Sequence, residues 1–145
     1  MAEVKKSVLV EFTPEQMFEL VDHCESYPDF LPWCSGSEVH HRDAERTVAT
    51  LHLNYHGLRS QFTTENHKSP PHEMRIALKD GPFRQLDGTW HFTALGEKAC
   101  KIEFRLHYEF SGRLLDRAFG PVFNHIANTF VESFVKRAHQ IYLEK

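Results

Sequence analysis

The sequence predicts an α+β domain in which a curved antiparallel sheet wraps one long C-terminal helix, and three observations carry that prediction. From Arg113 to Lys145, Leu115, Phe119, Val122, Phe123, Ile126, Ala127, Phe130, Phe134, Ala138 and Ile141 recur at spacings of three and four, the apolar stripe of a helix. Arg113, Arg117, Asn124, Asn128, Glu132, Lys136, Arg137, Gln140 and Glu144 fall on its other face, built for water. The middle of the chain alternates apolar and polar residues between turn signals, as half-buried strands do. Twelve Phe, four Tyr and two Trp make the chain 12% aromatic, and many fall on the predicted inner faces. Rings in that number either pack a bulky core or line an apolar cavity.

Val4 to Phe12 alternates, with Val8, Val10 and Phe12 opposite Ser7, Leu9 and Glu11, and reads as the first strand. Thr13-Pro14-Glu15-Gln16 then starts a helix: a threonine cap, proline at the first helical position, and glutamine placed to close a capping box. That helix runs to about Cys24, with Met17, Phe18, Leu20, Val21 and Cys24 buried. From Ser26 to Cys34, two prolines limit any helix to one short piece. Its large apolar side chains need a place to go, which makes this segment a plug or lid over an apolar space.

Six strands follow, over 37–41, 47–56, 59–68, 73–80, 85–94 and 99–110. The turns between them, including His56-Gly57, Asp80-Gly81-Pro82 and Gly96-Glu97-Lys98, have hairpin chemistry. The inward sets are Leu51, Leu53 and Tyr55; Phe62; Met74, Ile76 and Leu78; Leu86, Gly88, Trp90, Phe92 and Ala94; and Cys100, Ile102, Phe104, Leu106, Tyr108 and Phe110. Gly88 beside Trp90 predicts a bulge or bend. Ser111-Gly112 ends the last strand, and Gly120-Pro121 predicts a break or kink in the long helix, with Pro121 opening its second segment.

The 145 residues have the size of one domain, 1–145, able to bury a core without staples. A net charge of −3 gives no general pull toward DNA or other nucleic acid. Three cysteines with no CxxC pair (Cys24, Cys34 and Cys100) point to reduced thiols in a cytosolic setting. No apolar run is long enough for a signal peptide or a membrane span.

Eleven histidines offer no recognised metal-site motif: no HExxH occurs, and the side chains of His40-His41 in a strand face opposite ways. His91 and His107 lie on outward faces as possible cross-strand neighbours, and His125 and His139 flank the helix stripe. There is no nucleophile elbow and no phosphate loop. Asp80 and Tyr108 are the polar candidates for an interior role, with Asp80 alternatively capping its turn. Lys79, Arg84, Lys98, Lys101, Arg105, Lys136 and Arg137 are either solvated or part of a partner surface.

The runs YPDFLPWC, DGPFRQLDGTWHF, ACKIEFRLHYEF and AFGPVFNHI together resemble the START-like, helix-grip proteins of the polyketide cyclase/dehydrase family. Within it the chain is most similar to the branch holding the coenzyme Q-binding protein and the bacterial ribosome-association toxins. The resemblance covers essentially the whole chain. It implies a seven-stranded sheet gripping the long helix, two short helices after the first strand, and a cavity between sheet and helix. It also implies one of two functions. One is non-enzymatic chaperoning of ubiquinone or a similar isoprenoid lipid in support of respiration, with transient membrane contact and no required cofactor. The other is a toxin that binds the large ribosomal subunit and blocks subunit association. Without a mitochondrial targeting extension, a bacterial cytoplasmic protein fits better. For the first function the candidate ligand-binding residues are Tyr27, Phe30, Leu31, Trp33, Leu53, Tyr55, Phe62, Phe83, Trp90, Phe104, Phe123 and Phe130. The rival physical reading is that these rings simply fill the core.

Overall fold

The structure, a computed structural model, describes residues 2–143. Strand β1 (Ala2–Val10) leads into helix α1 (Pro14–Asp22), a 3₁₀ turn (Cys24–Ser26) and the one-turn helix α2 (Tyr27–Phe30). Six strands follow: β2 (Cys34–Arg42), β3 (Arg46–Tyr55), β4 (Leu58–Ser69), β5 (Glu73–Asp80), β6 (Phe83–Ala94) and β7 (Cys100–Phe110). Helix α3 (Arg113–Tyr142) closes the chain. Glu144 and Lys145, expected on this helix, lie outside the described residues.

All neighbouring strands are antiparallel, in the order β1-β7-β6-β5-β4-β3-β2. β2 to β7 form a meander, and β1 returns to pair with β7, Val10 opposite Cys100. The segment holding α1 and α2 therefore carries the chain from one edge of the sheet to the other. With α3 against β7, β1 and α1, it covers the concave face.

Local chemistry sets the boundaries. Thr13 Oγ1 accepts from the Gln16 backbone N–H at 3.1 Å, and Gln16 Oε1 accepts from the Thr13 N–H at 2.8 Å, so the capping box is closed. At the β3–β4 hairpin His56 and Gly57 both have positive φ, 51° and 86°, and Tyr55 pairs with Leu58. Two left-handed central residues match the twist of the flanking strands.

The bulge expected at Gly88 and the break expected at Gly120-Pro121 are corrected. Gly88 pairs in register with Leu106 on one side and Ile76 on the other, and the register shifts of the sheet lie elsewhere, one of them between Phe83 and Gln85. The glycine answers close packing instead: a Cβ there would stand 2.8 Å from the Arg105 carbonyl oxygen. The long helix is also unbroken at Gly120-Pro121. Gly120 has no Cβ to clash with the proline ring, and the apolar stripe keeps its face across the site, so packing outweighs one missing hydrogen bond. Arg117, whose carbonyl loses that bond, is exposed with Pro121 on the solvent side.

The core runs along the stripe and the inner sheet face. Val131, absent from the predicted stripe, is buried with Phe123, Ile126, Ala127, Phe134 and Ala138, while Leu115, Phe119, Val122, Phe130 and Ile141 are half-buried. Ala94, predicted inward, is exposed at the end of β6.

Candidate functional site: a cavity under the last helix

Curvature keeps α3 from touching the whole inner face, and an apolar cavity remains between them. Its floor is β3 to β7, through Ala49, Leu51, Phe62, Met74, Leu86 and Phe104 among others. Its roof is Phe123, Ile126, Ala127 and Phe130 of α3. One end is stopped by Val21 of α1 and Cys24 of the 3₁₀ turn, and by Tyr27 and Trp33 from the segment read in the sequence as a lid. About 70 Å³ is open to water-sized molecules. That is room for on the order of five waters, or for a single ring. Among the described residues, no aspartate, glutamate, lysine, arginine or histidine lines it.

Seven of the twelve candidate residues line this cavity: Tyr27, Trp33, Phe62, Trp90, Phe104, Phe123 and Phe130. The other five do not. Leu53 and Phe83 border a far tighter gap of about 10 Å³, together with Phe110, Phe119 and Val122. Leu31 is packed into the core at 1% exposure. Phe30 sits edge-on to Tyr27 and Phe134, with the Arg137 guanidinium 5.4 Å from its ring centre. Tyr55 is half-buried and stacks on His125, centroids 5.9 Å apart.

Sequence reasoning missed the polar part of the wall. Thr64 and Asn66 follow Phe62 at intervals of two on β4, are buried, and line the cavity. The alternation that places Phe62 inward places them inward too. They escaped notice because the inward set was picked by apolarity.

A polar cluster ties the end of α1 and the 3₁₀ turn, just before the lid, to the sheet. Lys68 Nζ, on a side chain only 4% exposed, lies 2.9 Å from Asp22 Oδ2, and Thr47 donates to Asp22 Oδ1 at 2.8 Å. Arg42 donates to Glu25 Oε1 at 2.7 Å and to the Asp22 carbonyl at 2.8 Å. The Arg42 hydrogen bond holds the Glu25 carboxyl down at about 2. Inside, the opposite shift occurs. Burial, with help from Asp22, pushes the Cys24 thiol up to about 12, and burial pushes the Tyr27 phenol well above its usual range. Both are neutral near pH 7, and Tyr27 donates to the Val21 carbonyl. Neither is a nucleophile or a base in that state.

The remaining candidates lie elsewhere. Asp80 is exposed at the end of β5. Tyr108 is buried outside the cavity, its hydroxyl 3.4 Å from Asn124 Oδ1. His91 and His107 are not cross-strand partners: the register sets Glu103 opposite His91 and Asp87 opposite His107, and His107 also bonds Glu3. Two of the basic residues have acidic neighbours, Arg84 with Glu109 and Arg105 with Glu3, each pair 3.6 Å apart.

A family model described as polyketide cyclase / dehydrase and lipid transport matches residues 10–135. The chain belongs to that family. Within it, the chain is 44% identical to the ribosome association toxin RatA of Vibrio cholerae over 99% of its own length and all of that protein. It is 28% identical to the mitochondrial coenzyme Q-binding protein COQ10 homolog B of Xenopus laevis, over 97% of the chain and 59% of that protein. A START superfamily protein of Mycobacterium smegmatis superposes with a TM-score of 0.74 at 19% identity, over 96% of this chain and 98% of that one. The chain thus shares its fold with that START superfamily protein.

Proposed function

We propose that this chain is a non-enzymatic binding protein for a small hydrophobic molecule, of the class of ubiquinone or a similar isoprenoid lipid, serving respiration. One observation carries this reading: the fold leaves a space between sheet and helix whose wall, among the described residues, is mostly rings and aliphatic groups and holds no charge. Burying about 300 Å² of apolar ligand at roughly 25 cal/mol per Å² contributes about 7 kcal/mol before the costs of association, enough for micromolar binding in a preformed site. The enclosed volume suits a ring or one isoprene unit. A longer tail needs Phe130 or the lid to shift. An aromatase/cyclase shares this fold, but the titratable groups in the wall among the described residues, Cys24 and Tyr27, are both held neutral by burial and do not suit acid–base work. Native mass spectrometry of protein purified from its own host tests the proposal. A neutral apolar molecule bound in about one-to-one ratio is expected, and apo protein alone would contradict it.

A second reading rests on a different observation. Proteins named ribosome association toxins match the chain at 38–44% identity over nearly its whole length. Under it the chain binds the large ribosomal subunit through its exterior and blocks subunit association, which leaves the cavity free for a ligand. Sucrose-gradient profiles decide this: free subunits accumulate when stoichiometric protein is added, and an unchanged profile removes the reading.

A further inference from the structure

The cavity wall holds one polar group whose needs the protein does not meet. Asn66 points inward from β4, 6% exposed, and its side-chain Oδ1 is buried with no hydrogen-bond partner among the described residues. Buried polar atoms are nearly always paired, because losing water without a replacement is costly. An aliphatic side chain would avoid that cost at this position, so packing does not explain the amide. Thr64, two residues earlier on the same face, brings a hydroxyl to the same stretch of wall. Everything else around them is apolar or aromatic apart from the Cys24 thiol and the Tyr27 hydroxyl, which already donates to Val21.

We propose that Asn66, flanked by Thr64, is the polar anchor of the cavity and selects a neutral, hydroxyl-bearing head on an otherwise apolar ligand: a phenol, a quinol or an alcohol. The ligand O–H donates to Asn66 Oδ1, and its oxygen accepts from the amide N–H or the Thr64 hydroxyl. A carboxylate or phosphate head is rejected, because no cation among the described residues lines the space to offset its lost hydration. This deepens the ligand-binding reading above and rests on it.

The chain has two tryptophans, Trp33 and Trp90, and both line the cavity, so tryptophan emission of the intact chain reports directly on occupancy. Titrations at neutral pH use 4-pentylphenol, pentylbenzene and 4-pentylbenzoate. The phenol is expected to bind about tenfold tighter than pentylbenzene, the worth of one buried hydrogen bond, and the benzoate weakest of the three. In Asn66→Leu the phenol falls to the affinity of pentylbenzene, and the melting temperature does not drop, since the unpaired oxygen is gone. Asn66→Ala, which adds no bulk, carries the same comparison if leucine prevents folding, and the wild-type series needs no variant. Equal binding of phenol and pentylbenzene, tightest binding by the benzoate, or a phenol preference that survives in both variants overturns the anchor. A silent emission spectrum with all three probes overturns hydrophobic-ligand binding itself, and the anchor with it.

Discussion

The two ends of the space under α3 are built from the same kinds of residue and end up different. Toward the start of the helix, Phe83, Tyr108, Phe110 and Phe123 touch one another with centroids 4.7 to 6.4 Å apart, mostly edge-to-face, and leave a gap of only about 10 Å³. Toward the lid, Trp33, Trp90, Phe104 and Phe130 stand 4.7 to 6.1 Å apart in tilted pairs around a cavity of about 70 Å³. Aromatic residues fill space in the first region and enclose it in the second. Small neighbours make the difference: Ala49 and Ala127 face the hollow, and the tight gap is bordered by Phe119, Val122 and Pro82.

This contrast is testable by damaging each end separately. Phe83→Ala removes a ring from the filled end and should cost about 3–5 kcal/mol, with the affinity of the hollow for an apolar probe little changed; urea unfolding and tryptophan emission read the two effects. Asp22→Ala strands the buried Lys68 ammonium beneath the lid and should cost about 3 kcal/mol. Here probe binding should fall as well, because the lid carries part of the wall. Ala127→Leu pushes bulk into empty space: stability should move by less than about 1 kcal/mol while probe binding is lost, where overpacking of a filled core would cost more.

The smallest effect concerns acid. Arg42 holds the Glu25 carboxyl at about 2, below its ordinary 4.5. A depressed carboxyl stabilises the fold above about pH 4.5, and that contribution drains away as pH falls toward 2. Glu25 is substantially exposed, which keeps the effect under about 1 kcal/mol. Arg42→Ala should therefore be less stable than wild type at pH 7, and the difference should shrink between about pH 4.5 and 2 in denaturant midpoints.

The fold was readable in the sequence because its signals are local. The capping box at Thr13 and Gln16, the His56-Gly57 turn and the period of two through β7 each follow from a few adjacent residues. The break expected at Pro121 is absent for the opposite reason: its local cost is real, but distant packing along the stripe outweighs it. The site was only partly readable. Alternation gives the side of the sheet a ring occupies and says nothing about whether a neighbouring ring meets it. Phe83 and Phe104 therefore looked alike in sequence and lie in different regions. Asn66 stood in an inward position by the same alternation, hidden by its polarity.

Titration calorimetry of pentylbenzene into wild type and Ala127→Leu, at several temperatures, is the sharpest trial of the hollow as a binding site. Saturable binding with a negative heat-capacity change is expected for wild type, from apolar surface leaving water, and no heat of binding for Ala127→Leu. Equal heats in the two proteins, or none in either, would contradict a ligand site beneath α3.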